Sequence, residues 1–202
     1  MPSTEPVRDL EARRASQRQL LQERVTASIV AAAAELLATR GGATSMADVA
    51  AAAGMARATV YRYFPAREAL LERVAEVAVS DAGARLADAR LGSVPPEEAL
   101  RRAVRAFFDV GDHFIVLARE RIRVDEKRRK EMIDDPLRRL FARGQRSGVF
   151  RNDVPPEWLA RTLVGIVEAV ASTSPAAAGR DDTVDRVSSV FLDGIRREPS
   201  LV

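Results

Sequence analysis

The chain has 202 residues, a net charge of +3, 47% hydrophobic and 5% aromatic residues, and no cysteine. Such a length and apolar content suffice for one or two domains with a core built on Ala, Val and Leu. The absence of cysteine excludes disulfides, thiolate metal sites and a cysteine nucleophile. The small positive balance fits a nucleic-acid partner without requiring one.

Residues 1–16 mix Pro2, Pro6 and charges of both signs without a period, and predict a disordered arm. Arg8, Arg13 and Arg14 there, and Arg18 just beyond, could brush a nucleic-acid backbone or simply be solvated. No apolar segment of a secretory signal is present, and no run approaches the ~18 apolar residues of a membrane span. The expectation is a cytoplasmic protein with no membrane partner. A first helix is predicted over 17–39. Its buried stripe is Val25, Ile29, Ala32 and Leu36, and Gly41-Gly42 end it.

Ser45 and Asp48 have the spacing of a capping box and start a second helix after Thr44. Met46, Val49 and Ala50 supply its narrow apolar face. Gly54 breaks it, because glycine tolerates the positive φ of a sharp turn. A third helix runs from about Ala56 to Phe64, and Pro65 closes it. Two short helices joined by a tight turn are a helix-turn-helix, whose second helix enters the DNA major groove. Arg57 and Arg62 can reach guanine edges or phosphates. Thr59 can touch a thymine methyl, and the hydroxyls of Tyr61 and Tyr63 can bond phosphates. Ala56 and Ala58 are small enough for close backbone approach. Val60 and Phe64, at i and i+4, anchor the helix to its domain.

These residues resemble the DNA-binding domain of the tetracycline-repressor (TetR) family of regulators. The matching elements are Thr44-Ser45-Met46, Asp48-Val49-Ala50, Ala53-Gly54, and Thr59-Val60-Tyr61-Arg62-Tyr63-Phe64-Pro65 followed by Arg67-Glu68 and Leu70. The match covers the first third of the chain. It departs at Gly41-Gly42, at Ala56 and at Ala58, where the family often carries an aromatic, a serine and a glycine. The resemblance implies phosphate contacts at Thr44, Tyr61, Tyr63 and Arg67. It implies base-edge or mixed contacts at Arg57, Ala58, Thr59 and Arg62, with Ser45 counted in the same DNA-facing set.

A fourth helix is predicted from Arg67 to about Ala89, with Leu70, Val74 and Val77 as one stripe and Leu71, Ala75 and Ala78 beside it. Gly92, Pro95 and Pro96 interrupt the pattern. Glu97-Glu98 begin a helix whose inner face holds Leu100, Val104, Phe107, Phe108, Gly111 and Ile115. His113, the only histidine, falls on its polar side, in position to pair with Asp109 at i−4. The charge run 119–131 is a solvated helix or loop by its mixed signs. Asp135-Pro136 open the next helix as cap and first turn, with Leu137, Leu140 and Phe141 inward and Gly148 as its end. A helix over 157–172 is apolar nearly all round (Trp158, Leu159, Leu163, Val164, Ile166, Val167, Val170), the mark of burial on two sides. The last helix, over 183–197, carries Val184, Val187, Val190, Phe191 and Ile195.

No segment alternates with period two, so the fold class is all-α with about nine helices. The units are an arm (1–16), a helix-turn-helix domain (17–66) and a helical effector-binding and dimerisation domain (67–202). Phe107, Phe108, Phe114, Phe141 and Trp158 are either an aromatic pocket for a small hydrophobic effector or ordinary core. Leu163, Val164, Val167, Val187 and Phe191 are the expected homodimer seam, formed when the last two helices pair with their copies as a four-helix bundle. The family resemblance implies the same bundle. The implied function is a regulator, most often a repressor, that binds a pseudo-palindromic operator in double-stranded DNA and is released by a ligand. A constitutive DNA-binding protein without an effector, or an activator, is the alternative. An enzyme has no support, because no phosphate loop, histidine base or metal motif is present. Asp134-Asp135 point apart on any helix. No catalytic residue, metal or cofactor is expected.

Overall fold

A computed structural model describes residues 5–120, 122, 124–173 and 179–196, with side chains for all of these except 5–12, 15, 112 and 117–119. Among the described residues the chain is helical, with nine helices of seven residues or more: α1 (Glu5–Arg40), α2 (Met46–Ala52), α3 (Arg57–Tyr63), α4 (Arg67–Asp88), α5 (Pro96–Phe108), α6 (Asp112–Glu120), α8 (Asp135–Arg146), α9 (Pro156–Thr173) and α10 (Arg180–Ile195). A single turn, α7 (Glu126–Arg129), precedes α8. The chain divides into two compact units between Leu70 and Leu71, within α4.

In the first unit, α1 packs on α2 and α2 on α3. Residues 5–16, expected as an irregular arm, belong to α1. The reason is local: Glu, Ala, Arg and Leu there are good helix formers, and extending an existing helix avoids the cost of nucleation. The buried stripe of α1 is Ile29, Ala33 and Leu37 beside Val30, Ala34 and Ala38. Of the expected stripe only Ile29 is buried; Val25, Ala32 and Leu36 lie half-exposed at its margin. In so alanine-rich a helix several stripes are equally apolar, and the partner helices select one.

In the second unit, α5 packs against α8 and α10, and α9 against α6 and α8. Val77, expected in the α4 stripe, is only half-buried, and Val79, Ala82 and Leu86 continue the buried face instead. The fully buried centre is Leu100, Phe107, Leu137, Phe141, Phe150 and Leu163. Burying each such side chain favours folding by about 1.5–3 kcal/mol over leaving it in water. Gly144 is part of this packing, because a Cβ there would collide with the Phe150 ring.

Two expected elements differ in detail. The helix foreseen through Ile115 stops at Phe108, because the chain turns at Gly111 with φ +73° and α6 starts afresh. His113 and Asp109 therefore do not share a helix, and the Asp109 carboxylate faces Arg180 at 3.6 Å. Asp135 is not a cap either. From Glu126 the helix runs on through a π-helical turn, Lys130–Asp134, into α8. The cap sits ten residues earlier, where the Asp125 carboxylate accepts from the Arg128 N–H at 2.8 Å. A π turn inserts one residue without ending the helix, which sequence spacing does not reveal.

Candidate DNA interface and the second helical unit

The head begins with a reciprocal cap. The Asp48 N–H donates to Ser45 Oγ at 3.2 Å, and the Ser45 N–H donates to Asp48 Oδ2 at 2.9 Å. The Ser45 hydroxyl also donates to Asp48 Oδ2 at 2.6 Å. These bonds hold the Asp48 carboxyl below the usual carboxylate range, the Ser45 side chain contributing most. They orient the first turn of α2, which buries Met46, Val49 and Ala50. Gly54 then takes φ +65° and turns the chain into α3.

On α3, Val60 and Phe64 are buried. The solvent face presents Arg57, Ala58, Tyr61 and Arg62, all exposed. At ~100° per residue these four span an arc of about 140°. Tyr61 is 48% exposed, unusual for so large a ring held on a short helix. Thr59 and Tyr63 flank this face and are half-buried, as is Arg67 at the start of α4. The Arg62 guanidinium lies 5.4 Å from the centre of the Tyr63 ring, a cation–π contact that steadies a long cation at the surface. Thr44 is placed differently from the expected phosphate contact: it is buried, and its hydroxyl donates to the Leu36 carbonyl at 3.4 Å. The Ser45 hydroxyl is engaged in the cap.

In the second unit the expected pocket aromatics are mostly core. Phe107 and Phe114 lie 5.5 Å apart between ring centres, and Phe141 lies 5.9 Å from both Phe150 and Phe191. Phe108 is half-buried beside them, and Trp158 is 58% exposed on α9. A cavity of about 680 Å³ lies elsewhere, between α4 and α8. Its lining includes none of these aromatics but five arginines: Arg90, Arg138, Arg139, Arg143 and Arg146. Sequence reasoning passed over them because only the fold brings Arg90 to the same lining as the arginines of α8.

The expected seam residues divide. Leu163, Val167 and Phe191 are buried within the protomer's own core, and Val164 is half-buried. Val187 is buried but borders an apolar groove of about 320 Å³ with Ile166, Val170 and Val190. Val190 is 71% exposed. A helix apolar on all sides does not announce which side its own protomer will cover. Among the described residues, no helix is long and apolar enough to cross a membrane.

A short helix held from beneath, with cations and a tyrosine displayed above, defines a helix-turn-helix DNA-binding regulator. Residues 29–74 match the family of bacterial regulatory proteins of the tetR type. Residues 95–197, just over half the chain, match the C-terminal domain of SbtR-like transcriptional regulators. The chain belongs to the TetR family of transcriptional regulators. It is 28% identical over 174 residues to the HTH-type transcriptional repressor LfrR of Mycolicibacterium smegmatis, covering 86% of this chain and 92% of that protein. The crystal structure of LfrR from Mycobacterium smegmatis in complex with proflavine is similar at a TM-score of 0.69 and 27% identity, over 87% of this chain and 99% of that one. The TetR family regulator PfmR from Thermus thermophilus is similar at a TM-score of 0.66 and 25% identity, over 84% and 99%.

Proposed function

We propose that this regulator is a repressor that binds a pseudo-palindromic operator as a homodimer and is released by a small molecule. The observation that carries the reading is the outward face of α3, where Arg57, Ala58, Tyr61 and Arg62 stand exposed over the buried anchors Val60 and Phe64. Arginine recognises guanine edges with paired bonds, and a tyrosine hydroxyl fixes register on a phosphate. Thr59, Tyr63 and Arg67 complete the contact set. A single seven-residue helix reads only a few base pairs, so two-fold pairing supplies the rest of the affinity. Two heads then meet successive major-groove faces, ~34–36 Å apart or a multiple of that.

The homodimer seam lies on α9 and α10. Support comes from the apolar groove of Ile166, Val170, Val187 and Val190, and from the exposed Trp158 on α9. Release by a ligand is a shift between dimer states whose heads fit or miss the operator, and its size equals the ligand's differential affinity for the two. The similarity to LfrR, a repressor whose crystal structure holds proflavine, supports this reading. The test is fluorescence anisotropy of the protein on the DNA upstream of its own gene. Salt-sensitive binding of a dimer to a two-fold symmetric site is expected. Equal affinity for that site and for scrambled DNA overturns the proposal.

A further inference from the structure

The cavity between α4 and α8 has a cationic rim and an apolar floor. On α8, Arg139, Arg143 and Arg146 recur at i, i+4 and i+7, which puts them on one helix face. Arg90 faces the same space from the turn after α4, held in a left-handed backbone at φ +48° that a non-glycine residue seldom adopts. Met132, Pro136 and Ala142, partly exposed, form the floor, with Leu86, Leu91 and Leu140 buried beneath them. Gly83 closes one end by letting Met132 approach, for a Cβ there would lie 2.7 Å from Met132 Cε.

The arginines divide by what holds them. The Arg143 guanidinium is fixed, donating to the carbonyls of Leu91 at 2.6 Å, Val94 at 2.7 Å and Gly92 at 3.3 Å. Arg138 leans on Asp135 at 3.4 Å. Arg90, Arg139 and Arg146 have no carboxylate partner among the described residues, and Glu131 is the sole acid on the lining. Elsewhere in this unit Arg102, Arg105, Arg180 and Arg196 are each matched to a carboxylate, while Arg85, Arg101 and Arg161 are exposed and unmatched among the described residues; the groove differs in gathering three unmatched arginines on one lining. Like charges at i, i+4 weaken a helix, so α8 gains nothing from this face on its own. An anion removes the repulsion, and guanidinium binds carboxylate or phosphate with paired, directional bonds. A volume of about 680 Å³ suits a small organic molecule rather than an ion alone.

We infer that this groove binds an amphipathic anion, with a phosphate or carboxylate head on Arg90, Arg139 and Arg146 and an apolar tail over Met132, Pro136 and Ala142. The site is separate from the aromatic interior, where a purely hydrophobic effector was expected. It rests on the ligand-responsive reading above only for its effect on DNA; binding itself is independent of it.

The test is isothermal titration calorimetry on the full chain without DNA. The probes are octyl phosphate, octanoate, 1-octanol and inorganic phosphate, each below its micellar concentration. Octyl phosphate or octanoate binds at least about tenfold tighter than octanol and inorganic phosphate, and the stronger of the two identifies the head group. Arg139→Glu with Arg146→Glu lowers that affinity at least about tenfold, while Arg101→Glu, an exposed position on α5 outside the groove, leaves it unchanged. If the double reversal fails to fold by circular dichroism, Arg139→Gln with Arg146→Gln gives the same contrast. Octanol binding as tightly as octyl phosphate, an unaffected double variant, or no heat with either anion overturns the inference. Operator binding is measured separately on the same proteins. Intact DNA binding without anion binding removes the groove proposal alone, and anion binding without operator binding removes the repressor reading alone.

Discussion

Ser45 and Asp48 hold each other at the start of α2, each side chain accepting the other's backbone N–H. This pair sets where the helix begins and so the angle at which the turn at Gly54 delivers α3. Ser45→Ala is expected to destabilise the head by about 1 kcal/mol, the usual cost of losing an N-cap. The pH dependence follows from Asp48, whose carboxyl is depressed by the Ser45 bonds. A group with a folded pKa below its unfolded one stabilises the fold above the unfolded pKa, about 4, and loses that contribution as pH falls through the folded value. Ser45→Ala should therefore lower the melting temperature more at pH 7 than near pH 2, where only the loss of the cap on the Asp48 N–H remains. An equal deficit at both pH values contradicts the pairing.

Arg57→Ala and Tyr61→Phe probe the displayed face of α3 in different ways. Loss of Arg57 should cost roughly 1–3 kcal/mol on the operator and relax preference at one base position. Loss of the Tyr61 hydroxyl should weaken all sequences alike, since a phosphate contact carries no sequence information. Anisotropy titrations on the operator and on single-base variants separate the two. Wild-type affinity and specificity in both variants would remove this face from the DNA interface.

Val190 and Val167 form a matched pair for assembly. Val190 is exposed in the protomer, so Val190→Glu should leave a folded chain that sediments as a monomer and has lost its operator affinity. Val167 is fully buried. Val167→Glu should cost several kcal/mol through an unpaired buried carboxylate and unfold the second unit. Analytical ultracentrifugation with circular dichroism reads both. A dimeric Val190→Glu protein places the seam elsewhere.

Gly144→Ala should destabilise the second unit by roughly 1–3 kcal/mol, the range for overpacking a filled core. The added methyl meets the Phe150 ring, which is itself fully buried and tilted against Phe141. Adding Phe150→Leu, which removes ring atoms from that spot, should recover part of the loss. Thermal melts of the single and double variants measure the coupling.

Glu168 on α9 is a test of burial rather than of pairing. Desolvation raises its carboxyl, against a smaller opposing pull from Arg129. With the folded pKa above the unfolded one, the charged form is a liability at neutral pH that fades as pH falls through the folded value. Glu168→Gln should raise the melting temperature at pH 7, and the gain should shrink toward pH 4. A gain that grows on acidification overturns the assignment.

The head was legible in the residues alone because its determinants are local. Ser45 and Asp48 are three residues apart, Gly54 has a backbone only glycine takes readily, and Val60 and Phe64 are one turn apart. Such features act through neighbours along the chain, so order in sequence is order in space. The all-helical class was legible for the same reason, from apolar spacing near 3.6 and the glycines and prolines between. What the tertiary structure alone decided were choices among equivalent faces and couplings across distance. Val167 and Val190 are both apolar residues on apolar helices; only the packing of α6 and α8 against α9 and of α5 against α10 makes one core and leaves the other exposed. Phe141 packs against Phe191, fifty residues away, a neighbour that no helical spacing relates to it. Arg90 and Arg139 stand almost fifty residues apart and line one cavity only because the turn after α4 packs on α8. Burial energy depends on who the neighbour is, and a long-range neighbour is a property of the fold rather than of any stretch of sequence.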